Sequence, residues 1–187
     1  LKVPATATVV VSDGVNEVTV SAPENFHPYF KIKVKGSELV IDKTREFDVD
    51  SITEIQIEIK VPKALKGFLV FGSGAISTQS IDAITKAVAV DVNGSGKISL
   101  VVQNSNEVVA NVFGSGSISI DGSTAFLKGS VNGSGSLNLQ KLMCQTAKVD
   151  VYGAGFIDVF VSKELNAEMF GSGNISYSGN PQVRTSV

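Results

Sequence analysis

The ten residues NVFGSGSISI, positions 111–120, decide how the rest of the chain is read. Val112, Ile118 and Ile120 are apolar, Ser117 and Ser119 are small and polar, and the two kinds alternate on either side of Gly114-Ser115-Gly116. Alternation with a period of two is the mark of a strand that buries one face. The triplet between the alternating runs reads as a corner, because glycine tolerates positive φ and close backbone approach. One such strand-corner-strand unit has an apolar face that it cannot bury alone.

Working outward, the unit recurs. Triplets stand at Gly72-Ser73-Gly74, Gly94-Ser95-Gly96, Gly114-Ser115-Gly116, Gly133-Ser134-Gly135, Gly153-Ala154-Gly155 and Gly171-Ser172-Gly173, with first glycines 22, 20, 19, 20 and 18 residues apart. Two places before each triplet come Val70, Val92, Val112, Val131, Val151 and Met169. Two places after it come Ile76, Ile98, Ile118, Leu137, Ile157 and Ile175, followed two further on by Thr78, Leu100, Ile120, Leu139, Val159 and Tyr177. Apolar columns at a fixed period require stacking of neighbouring copies. The expected fold is all-β: a single-stranded β-helix, or solenoid, with coils of about 20 residues, one glycine corner per coil and parallel strands ~4.8 Å apart. An antiparallel sandwich of regular hairpins is the alternative.

Residues 1–67 lack the triplet but keep β-rich runs at 8–11, 17–21, 30–35, 39–42 and 54–61, separated by Asp13-Gly14, Lys35-Gly36-Ser37 and Pro62. They are expected to form irregular coils that cap the stack and continue into the repeats of 68–187, giving one structural domain. The charged run 43–51 is expected to be an exposed loop.

Composition removes several classes of function. Sixteen Lys and Arg against 18 Asp and Glu leave a net charge of -2, so binding of nucleic acid through a basic face is not expected. No apolar run approaches the length of a membrane helix. One Cys and one His supply neither a disulfide framework nor a zinc cluster; Cys144 reads as a small core residue. No cofactor or metal is expected. Leu1 is neither an initiator Met nor part of a signal stretch, as in a trimmed mature chain.

The triplets do not match phosphate-binding loops, since each runs into a strand rather than a helix and Gly96-Lys97-Ile98 lacks the hydroxyl that follows a P-loop lysine. Calcium-binding β-rolls need oxygen ligands where this chain carries its Ile and Leu column. Asn93-Gly94-Ser95, Asn132-Gly133-Ser134 and Asn174-Ile175-Ser176 match the glycosylation pattern, though Asn is favoured at such corners for turn reasons. A carbohydrate-active enzyme would need converging carboxylates. Asp91, Asp150 and Glu168 stand three places before their triplets, but strand parity points them to solvent and most lie two or more coils apart.

A second column draws more interest. Immediately before the triplets come Phe71, Asn93, Phe113, Asn132, Tyr152 and Phe170, on the parity opposite to the buried valines. Phe71, Phe113, Tyr152 and Phe170 are the candidate binding residues, as an outward ladder for a ligand or a second subunit. Packing of the rings within the corner is the other reading.

The order of pieces resembles the bacterial family called "putative autotransporter adhesin, head GIN domain". The resemblance rests on the alternating start at 7–11, FKIKVKGSELVI at 30–41, IQIEIKVPKALKGFLVFGSGAIS at 55–77, the train of repeats, and ISYSGNPQV at 175–183. It implies a β-helical solenoid in secreted or outer-membrane-associated proteins, often lipoproteins, with an adhesive role and no transferable functional residues. Repeat and resemblance together lead us to expect a non-enzymatic adhesion or interaction module. It would be extracytoplasmic, outer membrane-associated or periplasmic, and exported as a lipoprotein. Its expected partner is a cell-surface glycan or protein, with self-association into a homo-oligomer as a further option. A carbohydrate-active β-helix enzyme and a self-assembling spacer are the alternatives.

Overall fold

The computed structural model describes residues 1–11, 16–44, 55–61, 65–78, 81–82 and 87–186. The expected loop at 43–51 and the Asp13-Gly14 and Pro62 turns lie largely or wholly outside these residues. The described elements are β1 (Thr6–Val11), β2 (Glu17–Ser21), a 3-10 helix (Glu24–Tyr29), β3 (Phe30–Lys35), β4 (Glu38–Lys43), β5 (Gln56–Val61), β6 (Gly67–Gly72), β7 (Ala75–Thr78) and β8 (Ile81–Asp82). There follow β9 (Ala87–Gly94), β10 (Lys97–Gly114), β11 (Ser117–Gly133), β12 (Ser136–Gly153), β13 (Phe156–Gly171), β14 (Asn174–Gly179) and β15 (Gln182–Ser186).

These strands form a β-solenoid of about 6 turns. Its coils pair in parallel and in register: Gly94, Gly114, Gly133, Gly153 and Gly171 align, as do Val92, Val112, Val131, Val151 and Met169. Each middle coil is one ribbon of 16 to 18 residues running from corner to corner, rather than two short strands. The ribbon also turns between corners, where register shifts occur at Val102/Ser105, Ser119/Gly122 and Leu139/Met143. Extra residues are absorbed there, which is why the repeat drifts between 18 and 22 residues while the glycine corners stay aligned.

Physical chemistry explains the corner at Gly114-Ser115-Gly116. Gly114 has φ +118°, where a side chain is strained, and a Cβ on it would lie 2.6 Å from the Gly94 carbonyl oxygen. Gly116 needs its hydrogen for room: a Cβ there would meet Val92 Cγ1 at 2.5 Å and the Gly96 carbonyl oxygen at 2.6 Å. The coils are stitched by main-chain hydrogen bonds. The Gly94 carbonyl accepts the N–H groups of Ser115 (3.0 Å) and Gly116 (2.9 Å), and the Gly96 carbonyl accepts that of Ser117 (3.0 Å). In the variant triplet, Ala154 N–H donates to the Gly133 carbonyl at 3.0 Å, as Ser134 does to Gly114. The middle position contributes its backbone, so alanine serves there.

Inside the coils, Ile98, Ile118, Leu137 and Ile157 stack with no more than 1% exposure, each burial worth about 1.5–3 kcal/mol. The column continues past the repeats in an order that differs from that of the chain. Ala7 of β1 pairs with Ile76 of β7 on one side and with Ile57 of β5 on the other, so the first strand is inserted between two later ones. β2 then runs antiparallel on β5, and β3 and β4 form a separate two-stranded sheet. Among the described residues β14 pairs with β13 alone, and Tyr177, which occupies a core column, is 50% exposed.

Candidate functional site

The parallel strands leading into the corners carry the candidate column. Strand parity turns Val70, Val92, Val112, Val131 and Val151 inward, where all are fully buried, and turns the next residue outward. Register places Phe71, Asn93, Phe113, Asn132, Tyr152 and Phe170 in one line along the stack. Phe71, Phe113, Tyr152 and Phe170 are 41, 45, 43 and 50% exposed, so nearly half of each residue meets water.

Rings in adjacent coils pack on each other. Tyr152 and Phe170 have centroids 5.2 Å apart and planes within 6°. Such a pair contributes about 0.5–1.5 kcal/mol beyond its buried area. At the other end Lys2 Nζ sits over the Phe71 ring, 5.3 Å from its centroid. Lys2 arrives from the side of β6 that faces away from β9, since the Phe71 N–H donates to the Leu1 carbonyl at 2.8 Å while β6 pairs with β9 on its other edge. The line therefore reads Lys2, Phe71, Asn93, Phe113, Asn132, Tyr152, Phe170. The lysine was not legible as a member, because it belongs to the column only through the fold of the first residues.

The acidic positions form the neighbouring line, Leu69, Asp91, Asn111, Ser130, Asp150 and Glu168. Asp91 and Asp150 are three coils apart, ~14 Å, too far to act as a carboxylate pair. Asn111 Nδ2 donates to Asp91 Oδ1 at 2.8 Å. Asp150 and Glu168 do occupy adjacent coils, and Glu168 also pairs with Lys148 at 3.7 Å. Asp150 is less solvated than parity implies. Its Oδ1 is buried without a hydrogen-bond partner, the one such side-chain atom among the described residues. Burial pushes its carboxyl above the ordinary range, the Lys148 charge opposes this, and Glu168 adds to the rise.

Sequence reasoning passed over a third feature. Where the ribbon turns between corners, an open groove of about 520 Å³ is lined by Asn104, Ser123, Met143, Gln145, Phe160 and Ser162 among others. Asn104 has φ +56°, a left-handed conformation, and its N–H donates to Ser123 Oγ at 3.1 Å. Beneath the groove Cys144 donates its thiol hydrogen to the Phe160 carbonyl at 2.9 Å, and burial pushes its pKa up to about 12. A thiol in that state is a core residue and no nucleophile. The groove coincides with the irregular register of this turn, and no repeating sequence signal marks it.

Fold and outward column together define the molecule as a β-solenoid with an aromatic and polar display face. Over residues 1–181 its sequence matches the family described as "putative auto-transporter adhesin, head GIN domain", and the chain belongs to that family. Among solved structures it is similar to a putative adhesin from Bacteroides fragilis, at TM-score 0.80 and 19% identity over 98% of this chain and 84% of that one. It is also similar to a putative lipid binding protein from Parabacteroides distasonis, at TM-score 0.69 and 21% identity over 98% and 85% of the two chains. A putative adhesin from Parabacteroides merdae aligns at TM-score 0.68 and 18% identity over 99% and 85%. No curated protein matches the chain. Among the described residues no helix is long and apolar enough to cross a membrane.

Proposed function

We propose that the protein is a non-enzymatic interaction module on the extracytoplasmic side of a bacterial envelope, outer membrane-associated or periplasmic and exported as a lipoprotein. It binds a cell-surface protein or glycan through the column Phe71, Phe113, Tyr152 and Phe170. The observation that carries this reading is the exposure of four aromatic rings in one register line. Soluble proteins rarely leave such a line uncovered without a partner, and aromatic residues are enriched where partners bind. The family's name agrees with an adhesive role. In this reading residues 1–67 cap the solenoid of 68–187 as one structural domain, with the glycine corners serving the scaffold and not the ligand.

The test is a double variant, Phe113→Ser with Tyr152→Ser, compared with the parent on a glycan array and in pull-downs from cell-surface material. The melting curve checks that the scaffold is kept. Loss of the parent's binding supports the module. Silence of the parent in both assays would leave only a spacer. Turnover of a polysaccharide that disappears on replacing Asp91 or Asp150 would install the enzyme reading in its place.

A further inference from the structure

We propose that the column contains two flat slots, Phe71/Asn93/Phe113 and Phe113/Asn132/Tyr152, and that each takes the guanidinium of an arginine presented by a partner protein. The proposal rests on the interaction-module reading and selects a basic protein surface over a glycan.

The thickness of the slots follows from the stacked pair. Tyr152 and Phe170 are one coil apart, nearly parallel and 5.2 Å between centroids. Rings in van der Waals contact have planes ~3.5 Å apart, so rings two coils apart with the same tilt leave ~7 Å between planes. One planar group fills that gap in contact with both faces, and a puckered sugar ring is too thick for it. Lys2 over Phe71 shows that ring faces look along the stack at that end too. Asn93 and Asn132 are too short to fill the space between the rings and form its floor.

Charge selects among flat guests. The faces of aromatic rings are negative and attract cations, as Lys2 already demonstrates on the outer side of Phe71. Asn side-chain oxygens can accept hydrogen bonds from such a guest. Asp91 lies two residues before Asn93 on the same outward face, and Asp150 two before Tyr152. Asp91 is held by Asn111 Nδ2 at 2.8 Å, and among the described residues no Lys or Arg pairs with it. A guanidinium is planar, permanently charged, carries only donors and stacks on rings, so it meets each of these features. A lysine ammonium is charged but not flat. The slots are two coils apart, ~10 Å, close to one turn of a polyproline II chain, whose three residues rise ~9 Å and bring residues i and i+3 to the same side. Two arginines separated by two residues can therefore occupy both.

The experiment titrates the isotope-labelled protein with acetyl-Arg-Gly-Gly-Arg-amide while the side-chain amide signals of Asn93 and Asn132 are followed by NMR. Peptides with citrulline or lysine in place of arginine serve as controls. Citrulline keeps the plane and removes the charge, and lysine does the reverse. We expect saturable shifts of both amides with the arginine peptide and binding about tenfold or more weaker with either control. Phe113→Ser, which removes the wall shared by both slots, should abolish the shifts, and Asp91→Asn should weaken binding. Equal binding of the citrulline or lysine peptide would overturn the proposal. So would a glycan that binds the column, depends on Phe113 and ignores Asp91 while the arginine peptide has no effect. That last result would leave the interaction module standing.

Discussion

Replacing Gly116 with alanine tests the physical account of the corner more sharply than any change in the core. The added methyl would lie 2.5 Å from Val92 Cγ1, on a fully buried side chain, and 2.6 Å from the Gly96 carbonyl oxygen. That carbonyl is held by the Ser117 N–H at 3.0 Å, so it cannot retreat without stretching a bond that links two coils. Overpacking of this kind costs about 1–3 kcal/mol. Weakening the hydrogen bond adds about 0.5–1.5 kcal/mol. Alanine returns about 0.4–1 kcal/mol by restricting the unfolded chain. The balance is a loss of about 2 kcal/mol. The control is Ser115→Ala one residue earlier, which copies Ala154 and should change stability by less than ~0.5 kcal/mol. Urea melts followed by far-ultraviolet circular dichroism suit the comparison, since a slope of ~2 kcal/mol per molar turns the expected loss into a midpoint about 1 M lower. Contacts in a stack run mainly between neighbouring coils, so damage at this central corner weakens both halves. If the two variants melt together, close approach is not what keeps Gly116 a glycine and the account of the corner is wrong.

Two further outcomes follow from titrating groups. Cys144, buried and with a pKa pushed up to about 12, should resist thiol reagents at pH 8 in the folded protein and react at once in urea; rapid labelling of the native state would place it at the surface. Asp150 holds its proton to higher pH when folded than when unfolded, so stability falls as pH rises through that window and stays lower above it. Asp150→Asn should therefore melt higher than the parent at pH 7, with the difference shrinking toward pH 4, and a difference that grows in acid would contradict the burial of this carboxyl.

The repeating part of the fold was legible because its constraints are local. A corner that excludes Cβ atoms and an inward column of Val and Ile leave the same mark on every copy, and all six triplets occupy the expected place. The position of β1 was not legible in the same way. Ala7 and Val9 announce a strand with a buried face, but nothing in their neighbourhood says that the partners are Ile57 and Ile59 on one side and Ile76 and Thr78 on the other. Pairing between distant segments is chosen by the shape of the completed stack. The turn at residues 102–105 was hidden for a related reason, since several lengths of chain can span it and its residues need not repeat. In the outward column, parity predicted the direction of Phe71, Phe113, Tyr152 and Phe170. It also pointed Asp150 to solvent, and the residue is half-buried with its Oδ1 enclosed, because parity describes one strand and not the side chains of the coils above and below.

Ala154 in the fifth corner has a wider meaning. Because main-chain hydrogen bonds and the inward apolar columns set the spacing from one coil to the next, the scaffold works as a ruler graduated in strand spacings, and most outward side chains are marks that can be rewritten without altering it. Inserting or deleting a whole coil would move every mark beyond it by ~4.8 Å and leave the cross-section unchanged. Two chains of this kind can thus share a fold at low identity and still present their outward groups at different intervals, so selectivity for a partner would be encoded as distance before it is encoded as chemistry.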